Sequence, residues 1–348
     1  MDFPGEKLVI KLWETIAEKG IGSLLSPWQT IREGRARNEV RRQELLMLAQ
    51  AERDAADLRA GKKELRPDGT LLLAAPADVS GSQSDGRVEP TLNLPHVVRT
   101  GARTAAANSA RGEINASKAV IFAEEQLAHD SQEPPDRTVD EDWLFIWREH
   151  AGRVSVEDLQ RLWGSVLAGE IKSPGKYSIR TLEFLKTLSK SEAELISRLA
   201  SYVIDGRVAR NQKEYLESKG LTFGLLLHMQ ELGVVSGVEA LSLTTTYKSV
   251  VNERFARAFR SHGKALIVEH DDASKTLDFQ IYLLTDIGRQ ILGLGTFEPD
   301  VEYMRLVGKD IAKKGFRVQL ADWRDVSDTE GQYFNAVEIS DDTSPTEA

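Results

Sequence analysis

Apolar residues recur at the three- and four-residue spacing of an α-helix near the start of the chain. This spacing predicts an amphipathic helix whose apolar face holds Val9, Leu12, Trp13 and Ile16. A second helix, predicted to end near residue 60, is rich in charge and alanine and has few large apolar side chains. We therefore expect residues 1–60 to form an amphipathic helix and a long, mostly exposed arm.

The helical pattern stops after residue 60 and returns near residue 99. Residues 61–98 contain prolines together with much glycine, serine and aspartate, a composition typical of a flexible linker. Residues 99–133 form an alanine-rich helical stretch that ends before Pro134 and Pro135. The two alanine-rich stretches have similar composition, and we expect them to pair as an antiparallel arm.

The densest helical pattern predicts a compact core over residues 136–208. Pro174 and Gly175 provide a turn between two of its helices, and Ser178 can cap the second of them. The predicted buried positions of the first two helices are Trp143, Leu144, Ile146, Trp147, Leu159, Leu162, Trp163, Val166 and Leu167.

The pattern changes to shorter elements over residues 209–326. A helix ends at Gly233, and two β-rich runs, 264–270 and 276–284, are separated by a polar turn. Helix, helix, β-hairpin and closing helix indicate a small α+β, winged-helix-like domain, and a final helix and strand meet at Gly315. The expected fold is therefore mainly α, with long helical arms, a helical core and this C-terminal domain.

Composition adds an acidic tail to this picture. The 348 residues are 41% hydrophobic and 28% charged, as in ordinary globular proteins. The net charge is −9, but from Asp322 onward eight acidic residues face one basic residue, so the rest of the chain carries only −2. Residues 327–348 are therefore expected to form an acidic, disordered tail.

The sequence lacks the motifs that several kinds of chemistry require. The chain has no cysteine, which excludes disulfides and thiolate metal sites. No phosphate-binding glycine loop and no serine-hydrolase motif occurs, and the histidines lack metal-ligand spacing. His270, Asp271 and Asp272 are adjacent, but they fall in a polar turn and are read as solvated. We expect no cofactor and no metal, and the start, which does not resemble a signal peptide, favours the cytoplasm.

Glu170 is the acidic residue of most interest, because it ends a strongly apolar helix. A negative charge is unfavourable at the carboxyl end of a helix, so a local group should offset it. Arg180, across the predicted turn, is the expected ion-pair partner, and a main-chain amide is the alternative. A hairpin-holding role for Glu170 is favoured over a ligand site or an active site.

A second candidate is a basic strip that would contact phosphates of a nucleic acid. It comprises Lys248, Arg254, Arg257, Arg260 and Lys264. The segment is read as a helix on which Arg257, Arg260 and Lys264 share a face, and the simpler reading is a solvated surface.

The N-terminal helix suggests two further partners. Its apolar face could dock at a membrane surface, but lysine and glutamate alternate on its polar side, whereas membrane-binding helices usually carry a basic excess. Association with a second copy or another protein, through this helix and the following arm, is the favoured interpretation.

The segment from Asp142 to Ile196 resembles a bacterial family known as domain of unknown function 2806. The residues that carry the resemblance include Trp143, Gln160, Trp163, Glu170, Pro174, Gly175, Ser178 and Arg180. The part of this segment from Trp163 to Ala168 is more loosely similar to alpha-type abortive-infection proteins, which are helical proteins of phage defence. The first resemblance implies no known activity.

Three functions are therefore compared. The favoured one is a non-enzymatic protein that acts by self-association or partner binding, in a setting such as phage defence. The alternatives are a winged-helix nucleic-acid-binding protein that uses the basic strip, and an enzyme or ligand sensor with a pocket near Glu170 and Arg180.

Overall fold

The computed structural model describes residues 4–18, 37–66, 70–73, 94–240, 243–326 and 331–339. The chain forms two compact units, Met1–Leu182 and Glu183–Ala348.

The first unit is built from helices and one small hairpin. Its elements are α1 (Glu6–Glu18), α2 (Arg37–Arg59), β1 (Lys63–Leu65), β2 (Leu71–Leu73), α3 (Leu94–Leu127), α4 (Glu141–Arg153) and α5 (Glu157–Lys172). A further helix, α6 (Ile179–Thr187), contains the boundary between the units.

The apolar face of α1 is buried inside the first unit. Leu12 is fully buried, Val9, Trp13 and Ile16 are nearly so, and α1 contacts α3 and α5. The amphipathic helix predicted from the spacing is thus confirmed. The same burial removes these side chains from the surface through which a membrane contact was considered.

The two alanine-rich stretches pair as the antiparallel arm expected from their composition. Glu52 of α2 forms an ion pair with Lys118 of α3, and Gly61, just after α2, lies beside Arg103. The core of the pair consists of Leu48, Ala55, Ile114 and Ile121. The β1–β2 hairpin lies within residues 61–98, where the sequence predicted a linker, and residues 74–93 lie outside the described part.

Helices α3 and α5 pack at very short distance. A Cβ atom at Gly164 of α5 would lie 2.8 Å from the main-chain oxygen of Ala119 in α3, so only glycine fits this contact without displacement. Trp147 of α4 is fully buried, and its Nε1 donates to the main-chain oxygen of Trp163 at 2.9 Å.

The burial of Trp143, Trp147 and Trp163 agrees with the predicted pattern. The predicted range of 136–208 differs from the structure, because α3 also belongs to this core and the first unit ends at Leu182. Leu159, which was predicted to be buried, is 44% exposed.

The second unit combines short helices with two sheets. Its helices are α7 (Lys190–Ala200), α8 (Lys213–Ser218), α9 (Phe223–Glu231), α10 (Asp286–Leu292) and α11 (Val301–Ala312), with a 3-10 turn at Arg210–Gln212. Its strands are β3 (Arg207–Ala209), β4 (Val235–Ser236), β5 (Thr244–Tyr247), β6 (Phe255–Ser261), β7 (Lys264–His270), β8 (Leu277–Leu284), β9 (Arg317–Asp325) and β10 (Gly331–Glu338).

Both sheets of the second unit are antiparallel. One has the strand order β10-β9-β7-β6, and the other has the order β3-β8-β4, with β5 also paired to β8. The predicted hairpin between the two β-rich runs is therefore wrong, because β7 and β8 belong to different sheets. The real hairpin joins β6 and β7, and His262 and Gly263 at its turn both have positive φ angles, 43° and 81°.

The prediction of a mainly α protein is also wrong. In the described residues, antiparallel sheets of two to four strands accompany the helices, so the fold is mixed α/β. The hairpin on which the winged-helix-like domain depended is not formed between the predicted runs. In addition, β10 occupies residues that were predicted to belong to a disordered acidic tail; the other residues of that tail, apart from Ile339, lie outside the described part.

Candidate functional site

Glu170 lies at the last turn of α5 and is 1% exposed. One carboxylate oxygen accepts a short hydrogen bond from the main-chain N–H of Gly175, and the other accepts from that of Tyr177 at 3.0 Å. Both oxygens are thus held by the turn that follows the helix. Of the two partners considered from the sequence, the main-chain amide is the one that the structure shows.

Tyr177 closes the turn over the carboxylate. A Cβ atom at Gly169 would lie 2.7 Å from Cε2 of the Tyr177 ring, so glycine is required for the ring to pack there. The main-chain oxygen of Tyr177 accepts a 2.7 Å hydrogen bond from Nε1 of the buried Trp143. These contacts fix the turn against α4.

Burial dominates the electrostatics of this turn. Burial raises the pKa of Glu170, while the hydrogen bonds from Gly175 and Tyr177 and the charge of Arg137 oppose that rise. Burial, together with the nearby Glu170 carboxylate, also raises the pKa of Tyr177 to about 12. The tyrosine hydroxyl therefore keeps its proton at neutral pH, and the turn contains one ionisable acid.

Arg180 is not the partner of Glu170. Its side chain is exposed on α6, and the two residues, both within the described part, form no ion pair. One cation near the turn is Arg137, whose guanidinium would lie 3.2 Å from a Cβ atom at Gly175. Gly175 has a φ of +92°, which favours glycine and explains its place in the turn.

The remaining motif residues also have structural roles. Ser178 begins α6, where its hydroxyl accepts from the main-chain N–H of Thr181 at 3.2 Å. Pro174 immediately precedes Gly175 in the turn, and Trp163 is buried against His150 with ring centroids 5.7 Å apart. The motif residues therefore shape the turn between α5 and α6, and none of their contacts requires a ligand.

A second buried polar cluster was missed from the sequence. Asn115 and Gln160 are each 2% exposed. Asn115 donates to the main-chain oxygen of Gly152 at 2.9 Å, and Gln160 donates to the side-chain oxygen of Asn115 at 3.2 Å. The cluster joins α3, α4 and α5. A lone amide in an apolar helix was the available signal, but its partner is 45 residues away.

The basic strip lies on a strand and its flanking segments, and reading it as a helix was wrong. Arg257 and Arg260 fall on β6, Lys264 begins β7, and Lys248 and Arg254 precede β6. Successive side chains of a strand alternate between faces, so Arg257 and Arg260 point to opposite sides of the sheet. The predicted common face therefore does not exist.

Most cations of the strip already have partners within the chain. Arg254 pairs with Glu269 at 3.1 Å, Arg260 pairs with Asp325 at 3.1 Å, and Lys264 forms a short ion pair with Asp322. Arg257 donates to the main-chain oxygen of Lys248 at 3.0 Å and lies over the rings of Tyr247 and Phe259. A phosphate contact would have to compete with these interactions.

The acidic turn after β7 is likewise internally satisfied. Asp271 pairs with Arg317 at 2.7 Å, and Asp272 accepts from the main-chain N–H of Ser274 at 2.8 Å. Nδ1 of His270 accepts from the main-chain N–H of Asp272. These contacts organise the turn itself.

The most open structural feature of the second unit is β10. It is the end strand of its sheet, and its residues are exposed except for the partly buried Gly331. Tyr333, Phe334 and Val337 are 49%, 46% and 64% exposed. No other described strand pairs with its outer edge.

The opposite end strand, β6, is closed by neighbouring segments. Its Ala256 bonds both to the main-chain N–H of Val250 and to the hydroxyl of Ser249. Farther along, the main-chain oxygen of Arg260 accepts from the N–H of Asp205 at 2.7 Å. The two edges of the same sheet thus differ, since β6 is capped and β10 is open.

Among the described residues, no helix has both the length and the apolar character needed to cross a bilayer. No curated protein and no solved structure matches the chain. Residues 99–214 match the model of a family described as Protein of unknown function (DUF2806). This stretch contains α4, α5 and the Glu170 turn, and it confirms that the chain resembles the DUF2806 family there.

Proposed function

We propose that this protein is a non-enzymatic binding protein that acts by self-association, and that two copies join along β10. The observation that carries the proposal is the open outer edge of β10 with its three exposed apolar side chains. An unpaired strand edge presents free N–H and C=O groups and is a template for another strand.

The edge has few of the features that block such pairing. Native edge strands are commonly protected by lysine, proline, charge or bulges. Over Gly331–Glu338 there is neither lysine nor proline, and the single charge is Glu338 at the end of the strand. The Glu338 charge and a bulge between Phe334 and Val337 are the two protective features that this strand carries.

The charge pattern favours a second copy of the same strand. In an antiparallel pairing centred between Phe334 and Asn335, Glu338 would face Gly331 of the other copy. The two Glu338 carboxylates then stay apart, which avoids the like-charge opposition that destabilises sheets. Each copy would then contribute the same strand to the interface, as in a two-fold symmetric dimer.

The arm of the first unit exposes a second apolar surface at the end where α2 meets the β1–β2 hairpin. Its exposed residues are Leu65, Leu72, Leu73, Val97 and Val98. Association through the arm was favoured from the sequence, and this surface keeps it as a competing route to the same function. Substitutions on the two surfaces distinguish these routes.

The experiment compares the mass of matched variants by analytical ultracentrifugation. Val337 in β10 and Val250 in the loop before β6 are 64% and 68% exposed, so Val337→Lys and Val250→Lys add the same charge at equally open positions. We expect the wild type and Val250→Lys to be dimeric and Val337→Lys to shift at least about tenfold toward monomer, because lysine protects edges.

Other outcomes would contradict the proposal. A wild type that stays monomeric at high concentration excludes self-association. A dimer that survives Val337→Lys but is lost in Leu73→Lys places the contact on the arm. Circular dichroism of each variant controls for unfolding.

Nucleic-acid binding remains the weaker alternative. The observation in its favour is that Lys248 is exposed and forms no ion pair with another described residue, while Arg254 is 55% exposed despite its partner Glu269. Binding that weakens steeply with salt and drops in Arg257→Glu would support it. Absence of binding at about 50 mM salt would exclude it.

The enzyme alternative near Glu170 has less support, because both carboxylate oxygens accept main-chain hydrogen bonds and Arg180 lies elsewhere. Phage defence, as the setting for self-association, is supported by the looser sequence resemblance alone.

A further inference from the structure

A cleft of about 350 Å³ lies in the second unit between α11 and the sheet that contains β9 and β10. Its volume falls in the range of sites for small molecules. Val301, Arg305 and Lys309 line it from the helix. These three residues are spaced four apart, so they share one face of α11 and form one wall of the cleft.

The two cations of this wall are weakly engaged. Among the described residues Arg305 pairs only with Glu302, at 3.7 Å, and both side chains are 55% exposed. Such exposed pairs contribute little. Lys309 forms no ion pair with any residue in the described part of the chain. Both charges are therefore available to a ligand.

The acidic residues of the cleft do not neutralise the positive charge of Arg305 and Lys309. Asp322 is held by a short ion pair with Lys264 and by Asn335 at 2.8 Å, and these hydrogen bonds lower the pKa of Asp322. Its charge is matched inside the protein. The hydrogen bond and charge of Asp271 are the main cause of the raised pKa of Arg317, and Glu338, at the exposed end of β10, adds a smaller contribution.

The sheet side of the cleft is partly apolar. Leu320 and Ile339 are each 9% exposed and form part of its lining, together with the exposed Val337. A cleft with a cationic wall opposite apolar side chains matches a ligand that has an acidic group and a hydrocarbon body. Neither a purely polar anion nor a neutral hydrocarbon would use both surfaces.

We propose that this cleft binds a small organic anion with an apolar body, its acidic group paired with Arg305 and Lys309 and its body against Leu320 and Ile339. The site goes beyond self-association and does not depend on it, because the two cations lie on α11 and not on the edge of β10.

The test is isothermal titration of the full chain with decanoate, and with decanol as a neutral compound of equal chain length. We expect saturable binding of one decanoate per chain and binding of decanol at least about tenfold weaker. Replacing Lys309 with glutamine should weaken decanoate binding about tenfold, since a charge-assisted hydrogen bond is lost.

The matched control is Lys313→Gln. Lys313 follows Lys309 by one turn, is 57% exposed and pairs with Asp310 at 3.6 Å, but it does not line the cleft. The variant should bind decanoate like the wild type. Equal binding of decanoate and decanol, equal effects of the two substitutions, or no decanoate binding would each overturn the proposal. Sedimentation of the same variants reports separately on self-association.

Discussion

At the scale of single residues, Glu170 shows how a buried carboxylate can be accommodated without a directly bound cation. Two main-chain N–H groups of its own turn bind its two oxygens, and Arg137 contributes only a longer-range charge. Loss of one partner in a buried hydrogen-bonded pair leaves the other group unsatisfied, which is more costly than the bond itself. Glu170 should therefore matter for stability.

We predict that Glu170→Gln lowers the free energy of unfolding by about 1–3 kcal/mol. A glutamine side chain keeps the shape but turns its NH₂ group toward one of the N–H donors of Gly175 and Tyr177, so one hydrogen bond is lost and two donors face each other. Urea denaturation followed by circular dichroism measures the change.

Arg180→Gln is the control at the same junction. Its side chain is exposed, and we expect a change within about 0.5 kcal/mol. If Arg180→Gln destabilised the protein as much as Glu170→Gln, the two side chains would be coupled and the description of the turn would be wrong.

The sequence correctly singled out Glu170, but the partner that it favoured, Arg180, was wrong. Its position at the end of an apolar helix is a local feature, and it correctly indicated that something must offset the charge. Arg180 was chosen because it lies across the turn in the sequence. The path of the turn, set by Gly175 and by the packing of Tyr177 on Gly169, decides instead which groups reach the carboxylate.

At the scale of elements, the contact between α3 and α5 depends on Gly164. We predict that Gly164→Ala destabilises the protein by about 1–3 kcal/mol, the usual cost of overpacking a close contact. The added Cβ would meet Phe122 and the main chain of Ala119, each at 2.8 Å, so the helices would have to move apart. Thermal and urea unfolding both report this change.

Gly101→Ala in α3 is the matched control, because nothing lies within 4 Å of the added carbon. Alanine favours a helix over glycine, so this variant should be stabilised by about 0.5–1 kcal/mol. Similar destabilisation of both variants would mean that helix propensity or backbone strain, and not the α3–α5 contact, explains the loss at Gly164.

The helices were predicted better than the strands because helical spacing is a local signal. The faces of α1 and α4 follow directly from it. In β6, Phe255 and Phe259 lie four residues apart and Arg257 and Arg260 three apart, and Arg254, just before the strand, is three residues from Arg257. The strand therefore looked like a helix. The overlooked signal was the turn at His262 and Gly263, whose positive φ angles suit a two-residue hairpin.

The partner of a strand cannot be predicted from a local pattern, because it depends on residues far away in the sequence. The pairing of β8 with β3, β4 and β5, and of β7 with β9, joins segments far apart in the chain. A run such as Leu277–Leu284 indicates a strand but not its sheet. The hairpin assumed between β7 and β8 was therefore the natural error, and the winged-helix-like expectation followed from it.

At the scale of the whole molecule, association depends on which surfaces remain open after each unit has formed. The residues of the motif shared with the DUF2806 family make their contacts inside the first unit. Most cations of the basic strip interact with other residues of the second unit. The β10 edge is left exposed. In the sequence it was included in an acidic tail because acidic residues lie on both sides of it.

The most direct test of self-association uses the absence of cysteine from the chain. In the antiparallel pairing centred between Phe334 and Asn335, Val337 faces Gln332 of the other copy, and facing Cα atoms of paired strands lie about 4.5–5.5 Å apart, within disulfide range. An equal mixture of Gln332→Cys and Val337→Cys proteins therefore brings facing thiols together, whereas either variant alone does not. The measurement is the fraction of covalent dimer on non-reducing gels after mild oxidation of dilute protein. We expect rapid formation of covalent dimer in the mixture and little in Val337→Cys alone or in the control Val250→Cys. Equal, slow cross-linking of the mixture and of these single variants would contradict pairing along β10.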